Sequence, residues 1–157
     1  MSGTGVGEGT AVYEKQLIAG WGDMDFNSHM RNTAYLDKSA DVRMMYFAER
    51  GFPMSGFVRL RLGPVVMKDE LEYFREFGLL EEVRVSLSLA GLSEDGSRMK
   101  MRNDFFRKEK LGARVTTTAG WLDLEARKLV RPPEALLQAL RDLARSDDFA
   151  ALPNVGS

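Results

Sequence analysis

The stretch Gly22-Asp23-Met24-Asp25-Phe26-Asn27-Ser28-His29-Met30-Arg31-Asn32, running directly into the apolar-rich segment from Thr33 to Glu49, decides how this chain reads. It crowds two carboxylates, two amides and the only histidine of the protein into a turn. A strand-like segment precedes that turn and a long helix follows it. Side-chain bases are thereby set beside the N-terminus of a helix, where free N–H groups and the helix dipole favour negative charge. Such an arrangement suits chemistry on a carbonyl, whose oxygen becomes anionic in the transition state.

Working outward, Ala11 to Trp21 reads as a strand. Val12, Glu14, Gln16 and Ile18 share one face, and Tyr13, Lys15, Leu17 and Ala19 the other. Asn32 to Arg50 reads as the main helix. Leu36, Ala40, Met44 and Phe47 form one apolar row, Tyr35, Val42 and Tyr46 lie on another flank, and Gly51-Phe52-Pro53 ends the helix. Strands are expected over Val65–Phe77, Glu81–Leu89, Arg98–Phe106 and Ala113–Leu124, with a hairpin turn at Ser93-Glu94-Asp95-Gly96-Ser97. Arg131-Pro132-Pro133-Glu134 opens a short helix with Leu136, Leu137, Leu140 and Leu143 as its apolar stripe. A strand, a long helix, a run of strands and a short helix indicate an α+β fold with an antiparallel sheet of about five strands. The expected organisation is one domain over residues 11–146, with a flexible glycine-rich tail over 1–10 and a loose tail over 147–157.

Composition narrows the function. With 157 residues the chain is long enough to bury a core, and 44% hydrophobic content is ordinary for a globular domain. A formal net charge of -1 lacks the basic excess of a nucleic-acid-binding domain. No cysteine and a single histidine leave no thiolate nucleophile, disulfide or multi-histidine metal site. The calcium-loop pattern begins at Asp23, Asp25 and Asn27, but its sixth position is Ser28 instead of glycine and its twelfth is Ala34 instead of glutamate. No metal or cofactor is therefore expected. No apolar run reaches the roughly 20 residues of a membrane span, and the N-terminus has no signal-peptide pattern. No nucleic-acid or membrane partner is expected, and a cytoplasmic location is.

Within the turn, Asp25 and His29 are four residues apart. Folded together, a carboxylate and an imidazole would move a proton or activate water. Equally, the aspartates are turn or cap residues and His29 holds the turn by hydrogen bonding to backbone. The residues alone leave both readings open. The outward row Arg98, Lys100 and Arg102 is open in the same way, either meeting phosphates or simply solvated.

The stretch Trp21 to Tyr35 resembles the signature of hotdog-fold acyl-CoA thioesterases of the 4-hydroxybenzoyl-CoA thioesterase type, D-x-D-x-x-G-H-[VM]-N-N-x-x-Y. Asp23, Asp25, His29, Met30, Asn32 and Tyr35 match in register, whereas Ser28 replaces the glycine and Arg31 the first asparagine. The resemblance implies a hotdog fold, in which the antiparallel sheet wraps one long central helix. It implies an acyl-CoA, or an acyl carrier protein thioester, as substrate. It also implies catalysis by Asp25 as nucleophile or general base, an oxyanion site at the backbone N–H of Asn32, and a homodimer or homotetramer. His29 would orient the turn or the carbonyl, and Tyr35 would line the acyl pocket or belong to the core. Two alternatives stand beside this. The (R)-specific enoyl-CoA hydratases carry D-x-N-P-x-H, from which Asp25-x-Asn27-Ser28-His29 is one residue short. A hotdog domain can also bind acyl-CoA without chemistry.

Overall fold

The computed structural model describes residues 12–154, so the expected tail over residues 1–10 lies outside the described residues. Among the described residues there are seven strands: β1 (Tyr13–Ile18), β2 (Leu62–Tyr73), β3 (Glu82–Ser93), β4 (Arg98–Arg107), β5 (Lys110–Asp123), β6 (Lys128–Leu129) and β7 (Arg145–Leu152). The helices are α1 (Asn32–Glu49), α2 (Met54–Leu60) and α3 (Glu134–Arg141). The main sheet has the order β1-β3-β4-β5-β2 and is antiparallel throughout. β6 adds to β5, and β7 adds to β3 in parallel. This is the wrapped-sheet architecture that the hotdog resemblance implied.

Strand alternation builds the inner face. Val83, Val85, Leu87 and Leu89 of β3, Met99, Met101 and Phe105 of β4, and Ala113, Val115, Ala119 and Trp121 of β5 are all buried. Their neighbours Arg84, Lys100, Arg102 and Arg114 point to the outer face. α1 lies across the inner face. Tyr35, Ser39, Val42 and Tyr46, spaced four, three and four apart, form its fully covered stripe, with Phe47 beside it. The expected row Leu36, Ala40 and Met44 is only half-buried, because the sheet covers the neighbouring flank. α1 ends as its sequence foretold. Gly51 takes φ +95°, the Phe52 N–H donates to Phe47 O at 2.8 Å, and Pro53 follows.

One flank of α1 faces β1 and the other faces β2. Lys38 Nζ donates to Ile18 O at the end of β1 at 3.0 Å. On the opposite flank Arg43 reaches Asn103 and Thr117, next to β2. α3 closes the far end, where Tyr46 Oη donates to Ala139 O and Leu136, Leu137 and Leu140 are fully buried.

Two expectations need correcting, and one interval left unassigned is filled. The C-terminal segment, read as loose from residue 147, forms β7 through Leu152. β7 takes the edge of β3 just beyond β1, pairing Gly91 with Ala150 and Leu92 with Ala151. β2 begins at Leu62 and ends at Tyr73, earlier at both ends than the reading Val65–Phe77. α2 fills the interval after Pro53 that carried no assignment, ending at Arg61 in the left-handed region. Among the described residues, no helix is long and apolar enough to cross a membrane.

Candidate active site

The motif folds as a tight hairpin. Asp25 N–H donates to His29 O at 2.7 Å, Met24 bridges Met30, and Arg31 N–H donates to Asp23 O at 2.8 Å. The turn is closed by Ser28 N–H on Asp25 O at 3.1 Å, with Ser28 itself at φ +63°. This is a turn followed by a left-handed residue, the position that favours the glycine of the resembled motif. The second arm is docked further along the chain: Met30 N–H donates to Phe77 O at 2.8 Å and His29 bridges Gly78. Chain entry into α1 is fixed by Arg31, whose guanidinium donates to Gly22 O and to Thr33 Oγ1.

The two aspartates of the motif have different surroundings. Asp23 is structural in its contacts. It accepts from Gly20 N–H at 2.8 Å and pairs with Lys38 Nζ at 2.9 Å. Burial works against its charge, but Lys38 and the Gly20 N–H outweigh it and hold the carboxyl below the usual range. Asp25 is exposed. Its Oδ1 accepts from the backbone N–H of Asn27 at 2.8 Å and of His29 at 3.0 Å. Oδ2 accepts from none of the described residues. The His29 N–H, with that of Asn27, holds the Asp25 carboxyl below its ordinary value, so it is anionic at neutral pH.

His29 meets Asp25 through its backbone rather than its ring. The imidazole Nε2 lies 3.0 Å from Glu76 Oε2. Glu76 stood inside the expected strand Val65–Phe77 and nothing in its local sequence marked it; only the docking of the hairpin on residues 77 and 78 brings it to the site. Asn32 is the first residue of α1, and its Oδ1 accepts from the N–H of Thr33 at 2.9 Å. The Ala34 N–H is taken by Arg31 O. The N–H of Asn32 is therefore the open donor at this helix end among the described residues. Tyr35 is 3% exposed, its ring packed edge-on against Tyr73, Phe77 and Phe105 at 5.2 to 6.2 Å. Burial, then the charges of Tyr73, Glu76 and Asp25, push its hydroxyl up to about 12. Tyr35 is thus a core residue whose hydroxyl feels the carboxylates of the site.

An anionic carboxylate with one open oxygen, an imidazole paired to a second carboxylate and a free helix-start N–H share one end of the molecule. The family model of the thioesterase-like superfamily matches residues 19–140, which spans the hairpin, α1 and the sheet. The chain belongs to the thioesterase-like superfamily. Membership makes this thioesterase-like chain a thioester hydrolase by family, in agreement with the motif resemblance. No curated protein sequence matches it. Solved structures match its fold. A hypothetical protein of Staphylococcus aureus in complex with CoA superposes with a TM-score of 0.79 at 14% identity, covering 94% of each chain. A gentisyl-coenzyme A thioesterase gives 0.73 at 14% identity over 82% of this chain and 99% of that one. A 1,4-dihydroxy-2-naphthoyl-CoA thioesterase from Synechocystis gives 0.75 at 14% identity over 85% and 98%. Among the described residues of the thioesterase-like chain, no three His, Asp or Glu side chains gather as a metal site.

Proposed function

We propose that the chain hydrolyses an acyl-CoA thioester to a carboxylic acid and free CoA, with Asp25 carrying the chemistry. The observation that supports this most is the pairing of an ionised Asp25, whose Oδ2 is open, with the unoccupied N–H of Asn32 at the start of α1. Oδ1 is engaged by two N–H groups, so Oδ2 either attacks the thioester carbonyl or takes a proton from the attacking water. In either case the carbonyl π electrons move to oxygen. The oxyanion is met by the Asn32 N–H and the positive end of the α1 dipole. The C–S bond then breaks and CoA leaves as the thiolate, which takes up a proton; if Asp25 has attacked, a water then cleaves the acyl–Asp25 anhydride, releasing the acid and restoring the carboxylate. His29, held by Glu76, orients the hairpin beneath the carbonyl.

The names of two structural relatives specify CoA thioesters and a third was solved with CoA, which supports CoA as the carrier. The direction of the His29 ring supports hydrolysis over double-bond hydration. Hydration needs carboxylate and imidazole on one water, and here the ring turns to Glu76. The chain works as a homodimer or homotetramer, as the family resemblance implies, and the open edge of β2 is a surface through which two copies can join.

The test is a thiol-release assay over saturated, hydroxylated and aromatic acyl-CoAs, with crotonyl-CoA monitored separately for loss of enoyl absorbance. Thiol release from at least one acyl-CoA is expected, and Asp25→Asn should lower turnover at least about a hundredfold with folding retained. Hydration without thiol release, or tight binding with neither reaction, would replace this reading with the hydratase or the binding module.

A further inference from the structure

Arg43 is a charged residue on the inner side of the sheet that the proposed chemistry does not use. Its Nη1 donates to Asn103 Oδ1 and to Thr117 Oγ1, both at 3.1 Å, and both partners are fully buried. Asn103 is fixed in turn, its Nδ2 donating to Ser86 O at 3.2 Å. The Thr117 hydroxyl donates to Asp69 Oδ1 on β2 at 2.6 Å. Nε and Nη2 of Arg43 donate to none of the described residues, and no carboxylate pairs with it directly. Burial disfavours its charge and lowers its pKa, and Asp69 offsets that only in part. An arginine tethered at one nitrogen, with its remaining donors unused, is a held group with spare capacity.

Its position connects it to the active end. Leu36, Ala40 and Arg43 follow the helical spacing and share the flank of α1 that faces β2. Facing them, the inward residues of β2 are Tyr73, Leu71 and Asp69, opposite Ala113, Val115 and Thr117 of β5. Tyr35 meets Tyr73 at one end and Arg43 meets the Asp69–Thr117 rung at the other. The two lengths agree: Tyr35 to Arg43 rises about 12 Å, and Tyr73 to Asp69 spans about 13 Å. Leu36, Ala40 and Leu71 between them are only half-buried. The half-buried Leu36, Ala40 and Leu71 thus make an apolar strip between α1 and β2 that starts at Tyr35 and Tyr73 and finishes at a donor and an acceptor.

We propose that Arg43 and Asp69 form the far end of the acyl cleft and select a medium-length acyl chain that ends in a hydroxyl group. The proposal rests on the thioesterase reading above. A hydroxyl accepts from Arg43 and donates to Asp69 at once, whereas a carboxylate is repelled by Asp69 and a methyl end strands both. The Cα of Arg43 is about 16 Å beyond Asn32, and its side chain leans back about one turn of 5 Å. The remaining distance exceeds the reach of a single hydroxylated ring.

The experiment compares ω-hydroxyoctanoyl-CoA with octanoyl-, suberyl- and 4-hydroxybenzoyl-CoA by kcat/KM. In parallel, the free acids are compared by their effect on Tm. The hydroxy chain should exceed octanoyl-CoA at least about tenfold. The ratio should fall to near one in Arg43→Met, which keeps the stem's volume, and should fall in Asp69→Asn. Free ω-hydroxyoctanoate should raise Tm more than octanoate in the wild type only. Equal or better use of octanoyl-, suberyl- or 4-hydroxybenzoyl-CoA, or a ratio that survives both substitutions, overturns the proposal. If Arg43→Met does not fold, the exposed Asp69→Asn decides. If no thioester is cleaved, the thioesterase reading fails, and the free-acid comparison still decides the selectivity of the cleft.

Discussion

The two carboxylate oxygens of Asp25 have different surroundings, and the difference sets how the site responds to acid. Oδ1 accepts the N–H groups of Asn27 and His29, which stabilise the anion and hold the carboxyl below its ordinary value. In the proposed mechanism the reactive form is the anion. Activity is therefore full above the folded-state value and lost only as pH falls through it. The acid limb of kcat/KM should lie below the ordinary aspartate value of about 3.9, read over the range in which the fold persists. A limb near neutrality that disappears in His29→Gln would assign the titration to the imidazole and sink this account. Ser28 sits in the same hairpin at φ +63°, where a side chain is strained and glycine is not. Ser28→Gly should stabilise the chain by about 1 kcal/mol in urea unfolding; a loss of stability would mean the hydroxyl contributes more than the strain costs. Both residues were legible in the sequence, Asp25 by its register in the motif and Ser28 as the departure from glycine. Glu76 was not. It reaches His29 only because residues 77 and 78 dock on the hairpin, and no local spacing encodes that contact.

Elements with one strongly apolar face were legible, and those whose state depends on a neighbour were not. β3 and β4 declare themselves through Val83, Val85, Leu87 and Leu89 and through Met99 and Met101. β7, with sequence RSDDFAAL, has no such alternation and holds its form by contact with others. Arg102 of β4 makes a two-pronged pair with Asp148 at 2.8 and 3.1 Å. The β3 edge supplies the backbone partners. α2 was missed because seven residues containing a glycine carry little helical signal on their own. At Gly91, a Cβ would stand 3.0 Å from Ala150 O and 3.2 Å from the Leu152 side chain. Gly91→Val should therefore push β7 off the edge of β3. Amide exchange should speed up across Ala150–Leu152 while the β4–β5 ladder stays protected. Unchanged protection in β7 would show that the strand tolerates the side chain by shifting as a unit.

At the scale of the whole molecule, the sheet has a long open edge. Among the described residues β2 pairs only with β5, so its other edge is open over residues 62–73. Val66 is 49% exposed, Met67 45%, Tyr73 51% and Phe74 51%, and the adjoining α2 exposes Met54 and Val58. Unpaired backbone groups beside apolar side chains invite another strand, and identical chains satisfy both by meeting edge to edge across a two-fold axis. The same closure would roof the cleft between α1 and β2, whose inner residues Leu71 and Asp69 lie on that strand. Light scattering at micromolar concentration should give at least twice the 17.6 kDa chain mass. Val66→Lys should return the protein to monomer, because a two-fold interface brings each introduced charge close to its symmetry mate, where like charges repel. If the cleft is completed by the partner, thiol release should fall with the dimer and recover with protein concentration. A wild-type chain that is monomeric at micromolar concentration yet fully active would mean that one copy holds the complete site and that the β2 edge serves some other contact.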